Sequence, residues 1–353
     1  MEISLWRMDE NLDLPIGAAF ERHDQRTRLF LRVAEDDIEG YGEIDPQPRA
    51  LNGDPSVDDV LEELHAVVLP QLRSVVVREG RFPSWTRWAR FAGSRDASAT
   101  ATTLVEMALF DRELRADSES LSARWPEAVK TPLQVTTSLL DESLTFDVPN
   151  DAARVRVKTA PGTVGKHGLA FLESLDRPIL LDFNCSAHVD DEVVEQVTKL
   201  ASRVQVAGVE QPYAPGNVVD HARLAEQLDV PLSIDEGLRS LRDVEQIVRY
   251  GAAQIVCVKP ARVGGYANAR TIIERARALG LRPYIGGFFE SELARSVNRT
   301  LAHHLVDEPS DIGPVATKSN TDGPWFSEVS KGFGLVPTPE LLEKCTLVQS
   351  IEL

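Results

Sequence analysis

Cysteine, methionine and long apolar runs are all scarce in this chain of 353 residues. The three cysteines, Cys185, Cys257 and Cys345, are odd in number and lack zinc-type spacing, so neither a disulfide framework nor a zinc site is expected. We therefore expect reduced thiols and a cytoplasmic protein. No stretch of about 18 residues is continuously apolar, which predicts that the chain has no membrane span.

Positive charge is also in short supply, and lysine is the rarer of the two basic residues. The sequence has 38 Lys and Arg against 55 Asp and Glu, and its net charge of −17 argues against a nucleic-acid partner. Eight of the basic residues are lysines and thirty are arginines. A lysine at the end of a buried strand therefore needs a chemical reason. The stretch QIVCVKPARVGG, residues 254–265, contains such a lysine, Lys259.

The first 125 residues predict a mixed α+β segment. The stretch RTRLFLRVAEDDIEGYGEI is typical of two antiparallel strands joined by an acidic turn, and its GYGEI end indicates only a hairpin edge. SVDDVLEELHAVVLPQL predicts a helix with Ser56 as its N-cap, and ATATTLVEMALFDREL predicts a second, amphipathic helix.

Residues 126–318 show a different pattern, in which short β-branched runs alternate with helical stretches. Such β-α repeats imply parallel strands with right-handed crossovers. The predicted strands end at landmarks spaced 24 to 28 residues apart, and these landmarks are Lys158, Asp182, Glu210, Asp235, Lys259 and Gly286. This period predicts a TIM-like (β/α) barrel. The alternative is an open doubly wound sheet, but the sequence has no Gly-rich phosphate turn after its first strand.

The candidate site lies at the carboxyl ends of these strands, which share one mouth of a barrel. Asp182, Glu210 and Asp235 would place three carboxylates side by side, a donor set that suits Mg²⁺, or Mn²⁺ in its place. No His or Cys occupies these positions, which argues against zinc. Lys158 and Lys259 flank the acids, and unlike arginine their amines titrate and can transfer protons.

Supporting roles are predicted for residues near these five. Arg156 would supply a fixed positive charge, Asn184 would orient a ligand water, and Gly286 and Gly287 would form a close turn. Glu236 and Glu290 complete the set of candidate substrate-binding or supporting residues. Each of them has a plain structural alternative, such as a helix cap, a turn or a core hydrogen bond.

These residues resemble the muconate-lactonising subgroup of the enolase superfamily. The matching stretches are RVRVKTAPG, LLDFN, VEQPYAPGNVVDHARLAEQLDVPLSIDEGLRS, QIVCVKPARVGG and YIGGFFESELARS, and the resemblance spans roughly residues 30–335. It implies a (β/α)7β barrel over 126–318, closed by a capping domain made of residues 1–125 and the tail 319–353. It also implies Mg²⁺ on Asp182, Glu210 and Asp235, with Lys158 and Lys259 on opposite faces of the substrate.

Within the subgroup, the sequence of these stretches is most similar to o-succinylbenzoate synthases and N-acylamino-acid racemases. The first hypothesis is a dehydratase of menaquinone synthesis that acts on a small carboxylate. The second is a racemase or cycloisomerase, and the third is a non-catalytic binding protein on a decayed barrel. Two residues depart from the family pattern: Arg156 replaces a lysine, and Glu292 replaces a glycine of the racemase-like relatives, which predicts a narrower pocket. The sequence is compatible with a homo-oligomer but does not specify the number of subunits.

Overall fold

The protein is described by a computed structural model over residues 1–20, 22–92, 98–141, 144, 146–313 and 325–353. Its N-terminal part is built on a four-stranded antiparallel sheet of order β13-β1-β2-β3. The strands are β1 Glu2–Gly17, β2 Arg22–Glu35, β3 Ile38–Ile44 and β13 Thr346–Glu352. The hairpin predicted from RTRLFLRVAEDDIEGYGEI is the β2–β3 pair. The C-terminal strand β13 pairs with β1 and so joins the two ends of the chain in one sheet.

Helices follow β3 along the chain, and one of them packs directly on β2 and β3. They are α1 Val57–Glu63, a π-helical turn Leu64–Val68, α2 Leu69–Glu79, α3 Trp85–Ala92, α4 Ala99–Ala116 and α5 Leu121–Arg124. The predicted cap at Ser56 is present, since its hydroxyl accepts from the Asp59 amide at 3.1 Å and the Asp59 carboxylate accepts from the Ser56 amide at 2.9 Å. Helix α4 is buried on nearly every side and is not amphipathic, because it packs between β3 and later helices. We call the antiparallel sheet with α1–α4 and the segments that join these elements the cap.

The second part is a curled parallel sheet of order β10-β9-β8-β7-β6-β5-β4. Its strands are β4 Leu133–Ser138, β5 Ala152–Lys158, β6 Ile179–Asp182, β7 Val206–Glu210, β8 Leu232–Ile234, β9 Ile255–Val258 and β10 Arg282–Ile285. Its helices are α6 Lys166–Ser174, α7 Asp190–Ala201, α8 Val218–Ala225, α9 Leu241–Tyr250, α10 Pro260–Val263, α11 Tyr266–Ala278 and α12 Glu292–Leu305. Two short strands, β11 Phe326–Glu328 and β12 Leu335–Pro337, and helix α13 Pro339–Lys344 lead back to the cap sheet.

A short segment around Ser310 occupies the eighth position of the sheet. The Gln134 amide donates to the Ser310 carbonyl at 2.8 Å on the β4 side, and the Asp311 amide donates to the Ile285 carbonyl at 2.9 Å on the β10 side. This segment thereby forms hydrogen bonds with the edge strands on both sides of the sheet. The arrangement confirms the TIM-like barrel with a capping domain and shows the open-sheet alternative to be wrong. The exact domain limits at 125/126 and 318/319 stay a prediction, and the second of them lies outside the described residues.

The cap and the barrel share an aromatic contact zone. Trp85 stacks on Phe110 with ring centroids 4.0 Å apart, and Trp125 lies 5.0 Å from Phe110 and 6.3 Å from Tyr266 of the barrel helix α11. Aromatic pairs at such distances add to the free energy gained from burial. Among the described helices, none combines the length and the apolar character that crossing a bilayer requires.

Candidate active site

The register of the parallel strands brings the predicted site together. Lys158, the last residue of β5, is paired with Asp182 at the end of β6, and Asp182 is paired with Glu210 at the end of β7. Asp235 and Lys259 directly follow β8 and β9. Because the strands are parallel, all five side chains lie at the same mouth of the barrel. Their functional roles stay predictions at this point, although their proximity is a property of the fold.

Lys158 lies at one side of this group. Its ammonium donates to the amide oxygen of Asn184 at 2.9 Å and to a carboxylate oxygen of Asp182 at 3.3 Å. The side chain is 13% exposed, so it is accessible from the mouth of the barrel. Asn184 itself donates to Asp182 through its backbone amide at 3.0 Å and its side chain at 3.1 Å. Asn184 is therefore placed to orient Asp182, whereas its predicted role toward a ligand water stays a prediction.

Lys259 lies on the other side of the group and is held more tightly. Its ammonium donates to Asp235 at 2.9 Å and lies 4.8 Å from the centre of the Phe288 ring. A cation is attracted to the face of an aromatic ring. Burial would lower the pKa of Lys259, but the surrounding negative charge, chiefly the carboxylate of Asp235, leaves this pKa above its ordinary value.

Sequence reasoning missed an ion-pair chain behind Lys259. Arg262 of α10, buried at the barrel mouth, donates to Asp235 and also to both carboxylate oxygens of Asp54, at 2.9 and 2.7 Å. Asp54 belongs to the cap and also accepts from Arg239 at 3.0 Å. Burial would raise the pKa of Asp235, but Lys259 and Arg262 outweigh burial and lower it well below its usual range. The sequence signal was the arginine within VKPARVGG, but its partner Asp54 is 208 residues away.

Glu210 occupies the centre of the row of acids and is fully buried. It accepts from Arg156 at 3.4 Å, from Ser233 at 3.3 Å and from the hydroxyl of Tyr284. Burial and then the charge of Asp182 raise the pKa of Glu210 to about 7. Arg156 also donates to Asp311 at 3.2 Å, so its predicted fixed charge sits between two carboxylates.

Glu236 extends the acidic group toward the cap. One of its carboxylate oxygens accepts from Asn184 at 3.3 Å and from Asn52 of the cap at 3.5 Å. Its other oxygen is buried with no hydrogen-bond partner in the described part of the chain. Burial and then the charges of Asp235 and Asp182 raise the pKa of Glu236 to about 7. This residue therefore lies within the predicted site.

The glycines after β10 are required by close packing. A Cβ atom added at Gly286 would lie 2.4 Å from the Cys257 sulfur and 3.1 Å from Cε of Lys259. A Cβ atom at Gly287 would lie 2.7 Å from a carboxylate oxygen of Glu290. These positions let the loop approach the lysine side chain. Glu290 is buried, and its nearest charged partner is Arg295 at 3.8 Å.

Above these residues lies a cavity of about 660 Å³. Lys158, Asn184, Asp235, Glu236 and Lys259 all line it. The cap contributes an apolar wall, whose members are Leu12, Ile16, Phe20 and Leu51. A cavity of this size with a few polar groups suits a small organic substrate. Glu292, expected to narrow the pocket, does not line it and instead pairs with Arg299 at 3.4 Å, so that expectation is wrong.

The acids also fit a hard divalent cation by donor type. Asp182, Glu210 and Asp235 offer carboxylate oxygens only, and the pKa of Glu210 is raised by burial and then by the negative charge of Asp182, which a cation would neutralise. Within the described residues, no group of three His, Cys, Asp or Glu side chains already converges enough to hold a metal ion. Asp182 and Asp235 each direct an oxygen to a lysine ammonium instead. The chemistry of the donor set thus supports the predicted ligands.

Comparisons with known proteins agree with this fold. The chain is 26% identical over 362 residues to N-succinylamino acid racemase of Amycolatopsis sp, covering 98% of this chain and 96% of that protein. It is 24% identical over 312 residues to o-succinylbenzoate synthase of Bacillus subtilis (strain 168), covering 85% and 81%. Its fold matches the muconate lactonizing enzyme of Pseudomonas fluorescens, solved with muconolactone, at a TM-score of 0.80 and 19% identity over 97% of each chain. The enolase C-terminal domain-like model matches residues 133–317, just over half of the sequence, and the chain therefore belongs to that family.

Proposed function

We propose that this protein is a metal-dependent dehydratase that forms o-succinylbenzoate from a hydroxycyclohexadiene carboxylate. The observation that carries the proposal is the placement of two lysines across one barrel mouth. Lys158 is the last residue of β5, the second of the eight positions around the barrel, and Lys259 follows β9, the sixth position. The two amines therefore face each other across the barrel. The three carboxylates occupy the positions between them.

The two lysines would act differently in this reaction. The neutral amine of Lys158 removes the proton from the carbon next to the substrate carboxylate, and an enediolate forms. The same residue, now an ammonium, returns that proton to the departing hydroxyl, and water leaves as the ring becomes aromatic. Lys259 stays protonated and stabilises the negative charge. Its contacts with Asp235 and the Phe288 ring favour the ammonium form and support this division of roles.

Asp182, Glu210 and Asp235 would hold the divalent cation. When bound, it would supply positive charge to the oxygens of the substrate carboxylate. Arg156 keeps Glu210 in place from beneath, and Asn184 keeps Asp182 in place from the side. The apolar wall of the cap would shield the reacting carbon from water.

Racemisation of N-succinyl amino acids is the second candidate. One observation favours it: Glu292 lies outside the cavity, so the departure from the racemase pattern does not narrow the pocket. The near full-length similarity to a racemase is consistent with this candidate. In that reaction each lysine would exchange a proton on its own face of the substrate, and neither would act by charge alone.

The test is an assay of the purified protein with both substrate classes, each with Mg²⁺ and with EDTA. Lys158→Arg should stop dehydration, because the pKa of arginine is too high for a base. Lys259→Arg keeps the positive charge and should retain measurable dehydration. Lys199→Arg, on the exposed face of α7, is the matched control and should be unaffected.

Solvent deuterium exchange separates the two reactions. A dehydratase forms the aromatic product, whereas a racemase washes deuterium into both enantiomers of an N-succinyl amino acid and loses this exchange with either lysine variant. Rapid exchange into both enantiomers, without dehydration of the cyclohexadiene, would replace the first proposal by the second. Full activity in EDTA would refute the metal-dependent mechanism for either.

A further inference from the structure

We propose that Glu43 of the cap is a positioning residue for Lys259, acting through the loop of residues 286–291. This inference rests on the proposed function only for the role of Lys259 in the reaction. Glu43 belongs to the GYGEI motif, which the sequence indicated as a plain hairpin edge. The structure places its carboxylate, fully buried, against the start of barrel helix α12.

The amides at the start of helix α12 find their acceptor in Glu43 of the cap, and not in the side chain of the helix's own N-cap residue. Ser291 occupies the N-cap position, yet its side chain makes no cap hydrogen bond within the helix. Its hydroxyl donates to Glu43 at 2.7 Å, and the backbone amides of Ser291 and Ala294 donate to Glu43 at 2.5 and 3.0 Å. Three donors at the helix start thus depend on one carboxylate from the cap. An N-terminal cap of this kind fixes both the helix start and the entry of the preceding loop.

The glycines of GYGEI explain how Glu43 is brought there. A Cβ atom at Gly40 would lie 2.4 Å from the Ala108 carbonyl oxygen, and one at Gly42 would lie 2.3 Å from the Leu104 carbonyl oxygen. Strand β3 therefore lies directly on the backbone of α4, where any side chain would force it away. The two glycines of the motif thus allow β3 to lie close to α4, and this close packing sets the position from which Glu43 reaches α12.

The loop before α12 receives a second support from the cap. Arg28 of β2 donates twice to the Phe289 carbonyl, at 3.1 and 2.9 Å, and its Nε lies 3.6 Å from Glu43. The neighbouring residue, Phe288, is the one whose ring lies 4.8 Å from the Lys259 ammonium. Contacts therefore run without a break from Glu43 and Arg28 through the loop backbone to Lys259. No comparable contact joins Glu43 to Lys158 among the described residues.

Glu106 of α4 provides a matched control. It is also fully buried, also belongs to the cap, and accepts from the backbone amides of Tyr266 at 3.0 Å and Ala267 at 2.9 Å at the start of α11. It makes no hydrogen bond to residues 286–291. Loss of either glutamate should loosen the attachment of the cap, but only Glu43 should change the surroundings of Lys259.

The experiment compares Glu43→Gln, Glu106→Gln and the wild type, as full-length proteins with Mg²⁺. A glutamine offers a single acceptor oxygen and turns an N–H group toward the remaining donors. Each protein is treated briefly with acetic anhydride, and the ratio of Lys259 to Lys158 acetylation is measured by mass spectrometry. Because no substrate is needed, the result is independent of which reaction the enzyme catalyses.

Glu43→Gln should raise the ratio of Lys259 to Lys158 acetylation at least about threefold. Glu106→Gln should lower the melting temperature by a similar amount but leave this ratio unchanged. Ser291→Ala removes one donor to Glu43 but keeps the Glu43 carboxylate beside Arg28, and should shift the ratio in the same direction by less. This second variant keeps the test usable if Glu43→Gln does not fold. An unchanged ratio in a folded Glu43→Gln or Ser291→Ala protein, or an equal rise in Glu106→Gln, would overturn the proposal.

Discussion

The close approach of Gly286 to Lys259 gives the sharpest prediction about the site. In Gly286→Ala the new Cβ would lie 2.4 Å from the Cys257 sulfur and 3.1 and 3.2 Å from Cε and Cγ of Lys259. Contact with the fully buried sulfur forces a shift of the loop, and overpacking of this kind costs about 1–3 kcal/mol. The lysine side chain must also yield by a few tenths of an ångström. We therefore expect lower stability together with a loss of catalytic rate.

Cys257→Ala separates these two effects. It removes the sulfur that the new Cβ would meet first, at a cost of about 1 kcal/mol when made alone. In the double variant, urea denaturation should show a coupling energy of about 1–2 kcal/mol, because the steric conflict with sulfur is gone. The catalytic rate should recover only partly, because the contacts with Lys259 at 3.1 and 3.2 Å remain. Additive stability changes, or full recovery of the rate, would refute this account of Gly286.

Three further predictions concern charge in and around the cavity. His23 is buried in the cavity wall. Burial, followed by the charges of Lys158 and Arg26, lowers the pKa of His23 to about 3, below the value near 6.5 in the unfolded chain. The stability that follows from this difference is therefore present above pH 6.5 and is lost as the pH falls. His23→Gln should consequently lose about 2 kcal/mol less than the wild type between pH 7 and pH 5 in denaturant titrations, and identical slopes would contradict this. Arg156→Lys should lower the free energy of unfolding by about 1–3 kcal/mol, since Arg156 reaches Glu210 through Nη1 and Asp311 through Nη2, and the single nitrogen of lysine lacks that spread. An unchanged stability would contradict this role of the guanidinium. Asp182→Asn should abolish Mg²⁺-dependent activity and weaken Mg²⁺ binding in calorimetry without unfolding the protein, whereas tight binding by the variant would exclude Asp182 as a ligand.

The barrel and its row of strand-end residues could be predicted because both follow from local patterns. A buried strand is a short apolar run, and parallel strands must present their carboxyl ends together, so the period of Lys158, Asp182, Glu210, Asp235 and Lys259 was enough. Each of these residues is informative in its own short stretch of sequence. The same reasoning located Asn184 and Glu236 but gave no means of ranking them above a plain helix cap.

The contacts between the cap and the barrel could not be predicted in this way. Asp54 with Arg262 and Glu43 with Ser291 join residues more than 200 positions apart, and nothing in either local sequence specifies the partner. The (β/α)7β barrel implied an eighth position in the sheet, but the sequence pattern did not locate it, for a different reason. The segment around Ser310 is a single bridge and lacks the β-branched run by which a strand is recognised.

The stretch VKPARVGG shows how closely the reaction and the attachment of the cap are joined in sequence. Lys259 turns into the cavity, and Arg262, one turn of helix later, ties Asp235 to Asp54 of the cap. Gly265 follows with φ at 110°, a conformation that favours glycine, and a Cβ there would lie 2.6 Å from the carboxyl group of Glu106. Any side chain at this position would push away the cap residue that accepts from the first amides of α11. The cap is therefore tied to this stretch at two points, through Arg262 to Asp54 and through the start of α11 to Glu106.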